Sequence, residues 1–213
     1  MAMTLETSRP LAEIAQYYTD KLDKHGRTGK GVDWNGETSQ MLRFQQLVKI
    51  INADGEFTIS DIGCGYGALY EYLTERWQNF RYWGVDISSD MVASASDQFR
   101  QCENAYFMQD SQLSQITDYC IASGVFNVRL EQSDSEWENQ IKLTLDNLDR
   151  YSTKAFAFNC LTSYSDAEKM HDYLYYANPE QMFSLCKKRF SRNVALLHDY
   201  DLYEFTILVR KNS

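Results

Sequence analysis

The sequence has few prolines, an odd number of cysteines and no long hydrophobic run. Only two prolines and five cysteines occur among 213 residues, and no two cysteines form a Cys-x-x-Cys pair. An odd, widely spaced set argues against a disulfide framework and against a cysteine-rich zinc site. No apolar run approaches the roughly 20 residues that a membrane-spanning helix needs, and residues 1–10 lack the apolar core of a signal peptide. We therefore expect a cytoplasmic protein with no membrane contact and no bound metal.

Positive charge is also scarce in this chain. There are 21 Lys and Arg against 30 Asp and Glu, which gives a formal net charge of −9. Because an acidic surface repels phosphate backbones, this balance argues against nucleic acid as a partner. The apolar share of 44% is ordinary for a globular chain, and no repeat or flexible linker divides it. The simplest prediction is one domain over residues 1–213.

Strand and helix patterns alternate from residue 57 onward. Strands are predicted at 57–62, 81–86, 105–108, 119–122, 154–159, 193–200 and 203–210, with helices at 68–77, 88–102, 133–150 and 178–190. The last two strands are close enough to form an antiparallel hairpin, whereas strand–helix–strand units are parallel. The order predicts an α/β fold with a mostly parallel sheet. Two earlier helices, at 11–22 and 38–52, predict an N-terminal helical lid or substrate segment over residues 1–52.

The clearest chemical signal is the segment 61–67, Asp-Ile-Gly-Cys-Gly-Tyr-Gly, at the end of the first predicted strand. Glycines there let the backbone approach a ligand and turn sharply into a helix whose N-terminus favours negative charge. Asp86 ends the next strand, and a carboxylate at that position can accept both ribose hydroxyls of an adenosine-type ligand. The two features predict a nucleoside-cofactor site at the carboxyl ends of the strands.

Two nucleoside cofactors fit this pattern. Gly63, Gly65 and Ala68 also satisfy the dinucleotide pattern G-x-G-x-x-G/A, which would make the protein a nicotinamide-dependent reductase. Three features favour S-adenosylmethionine instead. Asp61 can meet the positively charged amino-acid end of that cofactor, Gly67 completes a GxGxG sequence, and the C-terminal hairpin is not expected of a simple dinucleotide fold.

From residue 57 to residue 210 the chain resembles class I S-adenosylmethionine-dependent methyltransferases. Segment 61–67 matches the first motif of that family, and Asp86 matches its ribose-binding acid. The resemblance implies a Rossmann-like core at 57–210, with a seven-stranded sheet of order 3-2-1-4-5-7-6, strand 7 antiparallel, and helices on both faces. It also implies these cofactor-binding residues: Asp61, Gly63, Cys64, Gly65, Gly67, Asp86, Ile87, Asp110, Ser111 and Ser123.

Candidate acceptor and proton-transfer residues lie outside these motifs. His198 ends the sixth predicted strand, where it is either a general base, since imidazole titrates near neutral pH, or a histidine satisfied at a hairpin turn. Trp34 in the glycine-punctuated lid, Asn159 at a strand end and Tyr164 in the aromatic connection that follows are predicted to contact the acceptor. For Arg43 we expect pairing with surface acids rather than with an anionic substrate.

The expected reaction is transfer of a methyl group from S-adenosylmethionine to an oxygen or nitrogen of a small molecule. Such an enzyme positions two reactants and, where needed, removes a proton. The expectation of a small acceptor rests on the lack of a basic tail or an aromatic-basic strip for RNA. Two alternatives stay open: a protein or RNA methyltransferase, and a non-catalytic module that holds the cofactor. The oligomeric state stays open as well.

Overall fold

The structure, a computed structural model, describes residues 9–34 and 36–212. Seven strands form one sheet in the order β3-β2-β1-β4-β5-β7-β6. The strands are β1 Phe57–Ile62, β2 Phe80–Asp86, β3 Ala105–Gln109, β4 Thr117–Ala122, β5 Ser152–Leu161, β6 Asn193–Leu197 and β7 Glu204–Arg210. β7 pairs antiparallel with both β5 and β6, and the other neighbours pair in parallel. The predicted strand order and the antiparallel strand are confirmed.

Six α-helices accompany the sheet within the described residues. They are α1 Arg9–His25, α2 Glu37–Leu47, α3 Ala68–Thr74, α4 Ser89–Gln98, α5 Asp134–Tyr151 and α6 Pro179–Arg189. Helix α5 starts with a capping box, in which Ser133 and Glu136 satisfy each other's backbone N–H groups. Helix α2 ends earlier than the sequence predicts, because Val48–Ile50 tightens into a 3-10 turn.

A hydrophobic layer covers each face of the sheet. Along β5, Ala155 and Ala157 belong to one layer, whereas Phe156 and Phe158 belong to the other, as the twofold period of a strand requires. The first layer includes Phe44 of α2 together with α3, and the second includes α5 and α6. Central strands buried on both faces are typical of parallel sheets flanked by helices. The prediction of helices on both faces is confirmed.

Several side-chain contacts fasten the N-terminal segment to the sheet domain. The hydroxyls of Thr19 in α1 and Ser88, the cap of α4, lie 2.9 Å apart. Arg43 of α2 forms an ion pair with Glu204 of β7, at 2.6 Å. These contacts hold α1 and α2 over the carboxyl ends of the strands, where the glycine-rich segment lies. None of the helices within residues 9–34 and 36–212 has the length and apolar character to cross a membrane.

Candidate active site

The carboxyl ends of β1 to β4 and the N-terminal segment enclose a cavity, here called the inner cavity. Nine of the ten predicted cofactor residues line it: Asp61, Gly63, Cys64, Gly65, Asp86, Ile87, Asp110, Ser111 and Ser123. Gly67 lies outside this lining and caps the start of α3 with a φ of 87°. A Cβ at Gly67 would lie 2.6 Å from Cε2 of Phe99. The structure therefore gives Gly67 a packing role at the helix start.

Asp86 fixes the glycine-rich segment against the end of β2. Its Oδ2 accepts a hydrogen bond from the backbone N–H of Gly65 at 2.8 Å, and its Oδ1 accepts one from Ser88 at 2.9 Å. Burial raises the pKa of Asp86, and these backbone donors act in the opposite direction. Each carboxylate oxygen has a second lone pair. Asp86 can therefore hold the loop and still accept ligand hydroxyls.

Asp61 is a buried acid with one oxygen left open. The hydroxyl of Tyr82 donates to its Oδ2 at 2.7 Å, while Oδ1 is buried without a hydrogen-bond partner among the described residues. Burial, with a smaller contribution from the charge of Asp86, raises the pKa of Asp61 to about 7, although the Tyr82 bond lowers it. A cation next to Oδ1 would favour the charged carboxylate. The site is therefore suited to an ammonium group.

The turn after β4 forms another part of the wall. Ser123 Oγ is buried without a partner among the described residues. Gly124 has a φ of 74°, and a Cβ there would lie 2.4 Å from Cζ2 of Trp34. Its N–H donates to Oδ1 of Asn159 at 2.8 Å. Asn159, predicted to contact the acceptor, is fully buried and lines no part of either cavity, so it positions this turn instead.

A second cavity of about 680 Å³, here called the outer cavity, adjoins the inner one. It is formed largely by residues 161–176, from the last residue of β5 onward, and by residues 201–204, up to the first residue of β7. Lys169, His171 and Tyr203 on its wall are exposed, so the cavity is open to solvent. Both cavities are lined by the same four residues: Tyr18, Val32, Trp34 and Gly124. We call these four the shared wall.

Behind the shared wall lies a buried network that centres on Arg43. Its Nε and Nη2 donate to the carboxylate of Glu204 at 2.6 to 2.8 Å, and Nδ2 of Asn159 donates to the same carboxylate at 2.5 Å. The guanidinium also stacks over the ring of Trp34, 3.7 Å from its centroid. The expectation of surface pairing for Arg43 is wrong, because Arg43 and its partner Glu204 are both buried.

Tyr164 and His198 lie away from both cavities. Tyr164 is 61% exposed and donates to Oε1 of Glu180 at 2.6 Å. The ring of His198 is exposed and lies 6.0 Å from the rings of Tyr164 and Phe205. A catalytic role for His198 stays a prediction, and this position gives no direct contact with the shared wall.

Sequence reasoning missed several residues of the inner cavity. They are Leu11, Tyr18, Val32, Gln40 and Phe44 from the N-terminal segment, and Trp137, Gln140 and Thr144 from α5. The spacing of Leu11 and Tyr18 indicated an apolar helix face, and such a face is equally expected of a packed helix. Only the glycine-punctuated stretch around Trp34 signalled a lid. For α5 no feature of the sequence distinguished site residues from core residues.

Three features define a Rossmann-like nucleoside-cofactor fold of the methyltransferase type: the order of the sheet, the glycine-rich turn and the acid at the end of β2. The family model described as "Methyltransferase domain" matches residues 59–133. The chain is 54% identical over 166 residues to Rv1506c of Mycobacterium tuberculosis, a protein provisionally named a methyltransferase. This match covers 78% of the chain and 100% of the relative. The chain belongs to the class I S-adenosylmethionine-dependent methyltransferases.

More distant relatives share only parts of the chain or only its fold. Trans-aconitate 2-methyltransferase of Rhodopseudomonas palustris is 37% identical over 73 residues, which cover 30% of this chain and 28% of that protein. Magnesium protoporphyrin IX methyltransferase of Synechocystis, solved with bound S-adenosylmethionine, has a TM-score of 0.68 at 16% identity. That match covers 98% of this chain and 100% of the other.

The cofactor is S-adenosylmethionine, and the inner cavity suits it chemically. Open polar atoms at Asp61 and Ser123 match the need of its amino-acid end for hydrogen-bond partners, and Asp86, predicted to bind the ribose, lines the same cavity. When bound, this cofactor supplies an electrophilic methyl group on a sulfonium. The enzyme is therefore a methyltransferase, and it requires a methyl acceptor as its second substrate.

Proposed function

We propose that this methyltransferase transfers the methyl group to an oxygen or nitrogen of a small molecule bound in the outer cavity. The supporting observation is the shared wall of Tyr18, Val32, Trp34 and Gly124, across which an acceptor and the cofactor can meet. A volume of about 680 Å³ lies within the ordinary range of small-molecule sites. Holding both reactants in contact supplies much of the rate enhancement of such a transfer.

The proposed cofactor contacts follow the positions of the polar groups in the inner cavity. Oδ1 of Asp61 would hold the ammonium group, and the Asp86 carboxylate would accept from the ribose hydroxyls. Ile87 would pack on the adenine, and Asp110 would accept from its amino group. Asp110 Oδ1 is held in place by the N–H groups of Ser111 and Gln112, at 2.7 and 3.1 Å.

The described part of the N-terminal segment 1–52 would act as a roof over the bound cofactor. Residues 1–8 and 35 lie outside the described residues, so the proposal concerns 9–34 and 36–52. Leu11 and Phe44 line the inner cavity, Tyr18 and Trp34 line both cavities, and Arg43 fastens the roof to β7. Trp34 would then exclude water from the methyl group, because its side chain lines both cavities.

Partition of radiolabelled methyl groups tests this function. The protein would be incubated with S-adenosylmethionine labelled on its methyl group and with a cell extract divided by ultrafiltration into small molecules and macromolecules. We expect label to enter the small-molecule fraction, and a matched Asp86→Ala variant to abolish most of that incorporation. An exposed-site variant, Asp54→Ala, serves as the control with the same change of charge.

Label found only in protein or RNA would contradict the proposal and support the alternative of a macromolecular acceptor. Tight cofactor binding in calorimetry, with no label transferred to either fraction, would support a non-catalytic binding module. A titration with NAD provides the negative control for cofactor identity in the same calorimeter.

A further inference from the structure

The outer cavity carries negative charge that no neighbouring side chain compensates. Three ion pairs cancel most of the charges on or beside its wall: Arg43 with Glu204 at 2.6 Å, Lys21 with Asp33 at 2.5 Å, and Lys169 with Asp166 at 3.1 Å. Glu168 and Asp201 also line the cavity, and neither forms an ion pair with a described residue. His171, the other basic side chain on the wall, can carry at most one positive charge, so the balance remains negative.

Aromatic rings make up much of the same wall. Tyr173, Tyr176 and Tyr203 line the outer cavity together with the shared-wall residues Tyr18 and Trp34. Arg43 already lies over the ring of Trp34 and Lys169 over that of Tyr203, so Tyr18, Tyr173 and Tyr176 are the rings that no protein cation covers among the described residues. The face of an aromatic ring attracts a cation, and the attraction grows as water is excluded. Acids and aromatic rings around one cavity therefore favour a ligand that carries positive charge, and the acids alone disfavour a carboxylate.

The shared wall offers no group that can remove a proton from the acceptor. Val32 and Gly124 have no ionisable side chain, and the indole N–H of Trp34 only donates. Burial raises the pKa of the Tyr18 phenol, so this hydroxyl stays protonated at neutral pH. An alcohol that reacts at the shared wall would find no base among these four residues. A carboxylate needs no base, but the negative charge of the cavity repels it. A neutral amine needs no base either, because its nitrogen already carries a free lone pair.

We infer that the methyl acceptor is the nitrogen of a small amine, drawn into the outer cavity as an ammonium by Glu168, Asp201 and the aromatic wall. This inference rests on the proposed function and narrows it from oxygen or nitrogen to nitrogen. The ammonium first releases a proton to solvent water through the open side of the cavity. The nitrogen lone pair then forms the N–C bond while the S–C bond breaks and its electron pair stays on sulfur. The positive charge passes to the methylated nitrogen, which can release its proton to water.

Three probes that share one carbon skeleton test the acceptor chemistry. Phenethylamine, phenylacetate and 2-phenylethanol present an amine, a carboxylate and a hydroxyl on the same aromatic group. Each would be titrated calorimetrically into the complex with S-adenosylhomocysteine, and each would be assayed as acceptor of the labelled methyl group. We expect phenethylamine to bind at least about tenfold more tightly than phenylacetate and to be the methylated probe. The preference should shrink at high salt, because exposed charges are screened.

A matched pair of double variants assigns this preference to the cavity. Glu168→Gln with Asp201→Asn should weaken phenethylamine binding about tenfold and leave the affinity for S-adenosylhomocysteine unchanged. Asp54→Asn with Glu131→Gln makes the same change of charge at exposed positions outside both cavities and should leave both affinities unchanged. Equal loss in the two double variants would overturn the assignment to Glu168 and Asp201.

The probes also separate failure of this inference from failure of the proposed function. Methylation of phenylacetate or 2-phenylethanol, or tighter binding of phenylacetate, would overturn the amine inference while a small-molecule methyltransferase stands. Binding of S-adenosylhomocysteine with none of the three probes bound, and label entering only macromolecules of the extract, would overturn both.

Discussion

The two cavities are built from different kinds of structure. The inner cavity takes part of its polar lining from one short segment, residues 61–67, and from Asp86, whose carboxylate is held by the backbone N–H groups of Gly65 and Ser88. The outer cavity depends on side chains far apart in the chain, such as Arg43 and Glu204. A cofactor site made of strand ends and backbone can therefore be recognised locally, whereas the proposed acceptor site forms only when distant segments come together in the fold.

The same contrast predicts what a substitution would damage. A buried ion pair contributes little net stability, but removal of one partner leaves a buried charge without compensation. Asp86 and Asp61 instead line the inner cavity, where we propose that their carboxylates bind the cofactor. Substitutions in the Arg43 network should therefore appear in stability, and substitutions at the two acids should appear in cofactor affinity.

The largest effect is expected for Arg43→Met. This change leaves the Glu204 carboxylate buried without its ion-pair partner and should lower the free energy of unfolding by about 3 to 5 kcal/mol. Denaturant titration measures the loss. Arg43→Met combined with Glu204→Gln removes both charges and should recover a large part of it. Equal stability of the single and double variants would show that the pair is not coupled.

The next effect is expected for Asp86→Ala. Loss of a carboxylate that holds the glycine-rich segment and accepts from the ligand should weaken S-adenosylhomocysteine binding roughly 100-fold, the equivalent of about 2.7 kcal/mol. Calorimetry measures the affinity, with Asp54→Ala as the control. An unchanged affinity in Asp86→Ala would show that the cofactor binds elsewhere. The contrast between a cofactor cavity and an acceptor cavity would then be wrong.

A smaller, pH-dependent effect is expected at Asp61. Its pKa of about 7 lies above its usual value, and the ligand's ammonium favours the charged form. Affinity for S-adenosylhomocysteine should therefore be full above pH 7 and fall as pH drops through 7, approaching tenfold per pH unit well below it. Calorimetry between pH 5.5 and about 8 tests this. Asp61→Asn should bind more weakly at pH 8 and lose the dependence; a slope retained by that variant would assign it to another group.

The smallest effect is expected for His198→Ala. Because its ring lines neither cavity, we expect turnover and its pH profile to match those of the unchanged protein. Tyr164→Phe, which keeps the ring beside His198 and removes the hydroxyl that donates to Glu180, is the matched control. A loss of turnover confined to His198→Ala, with a shifted pH profile, would restore His198 as the general base and extend the acceptor site to the end of β6.

The sequence allowed the sheet order and most of the inner cavity to be predicted, because both depend on local patterns. Alternating strands and helices determine the parallel core, and segment 61–67 identifies the ligand edge. Arg43 was predicted to lie on the surface, because its partner Glu204 on β7 is distant in the sequence. No local pattern around Arg43 indicates that the two residues pair. Asn159 was predicted to contact the acceptor from a strand end, but it lies within β5 and lines neither cavity, and only the folded chain shows that it bonds to Gly124 and Glu204.

The wall of Tyr18, Val32, Trp34 and Gly124 makes the two binding equilibria a single linked system. Any factor by which an occupant of one cavity changes affinity for the other applies equally in the opposite direction. A bound acceptor that presses on Trp34 must therefore alter retention of the spent cofactor by the same factor. Equal factors measured for the two ligands would give the free energy of coupling between the two cavities.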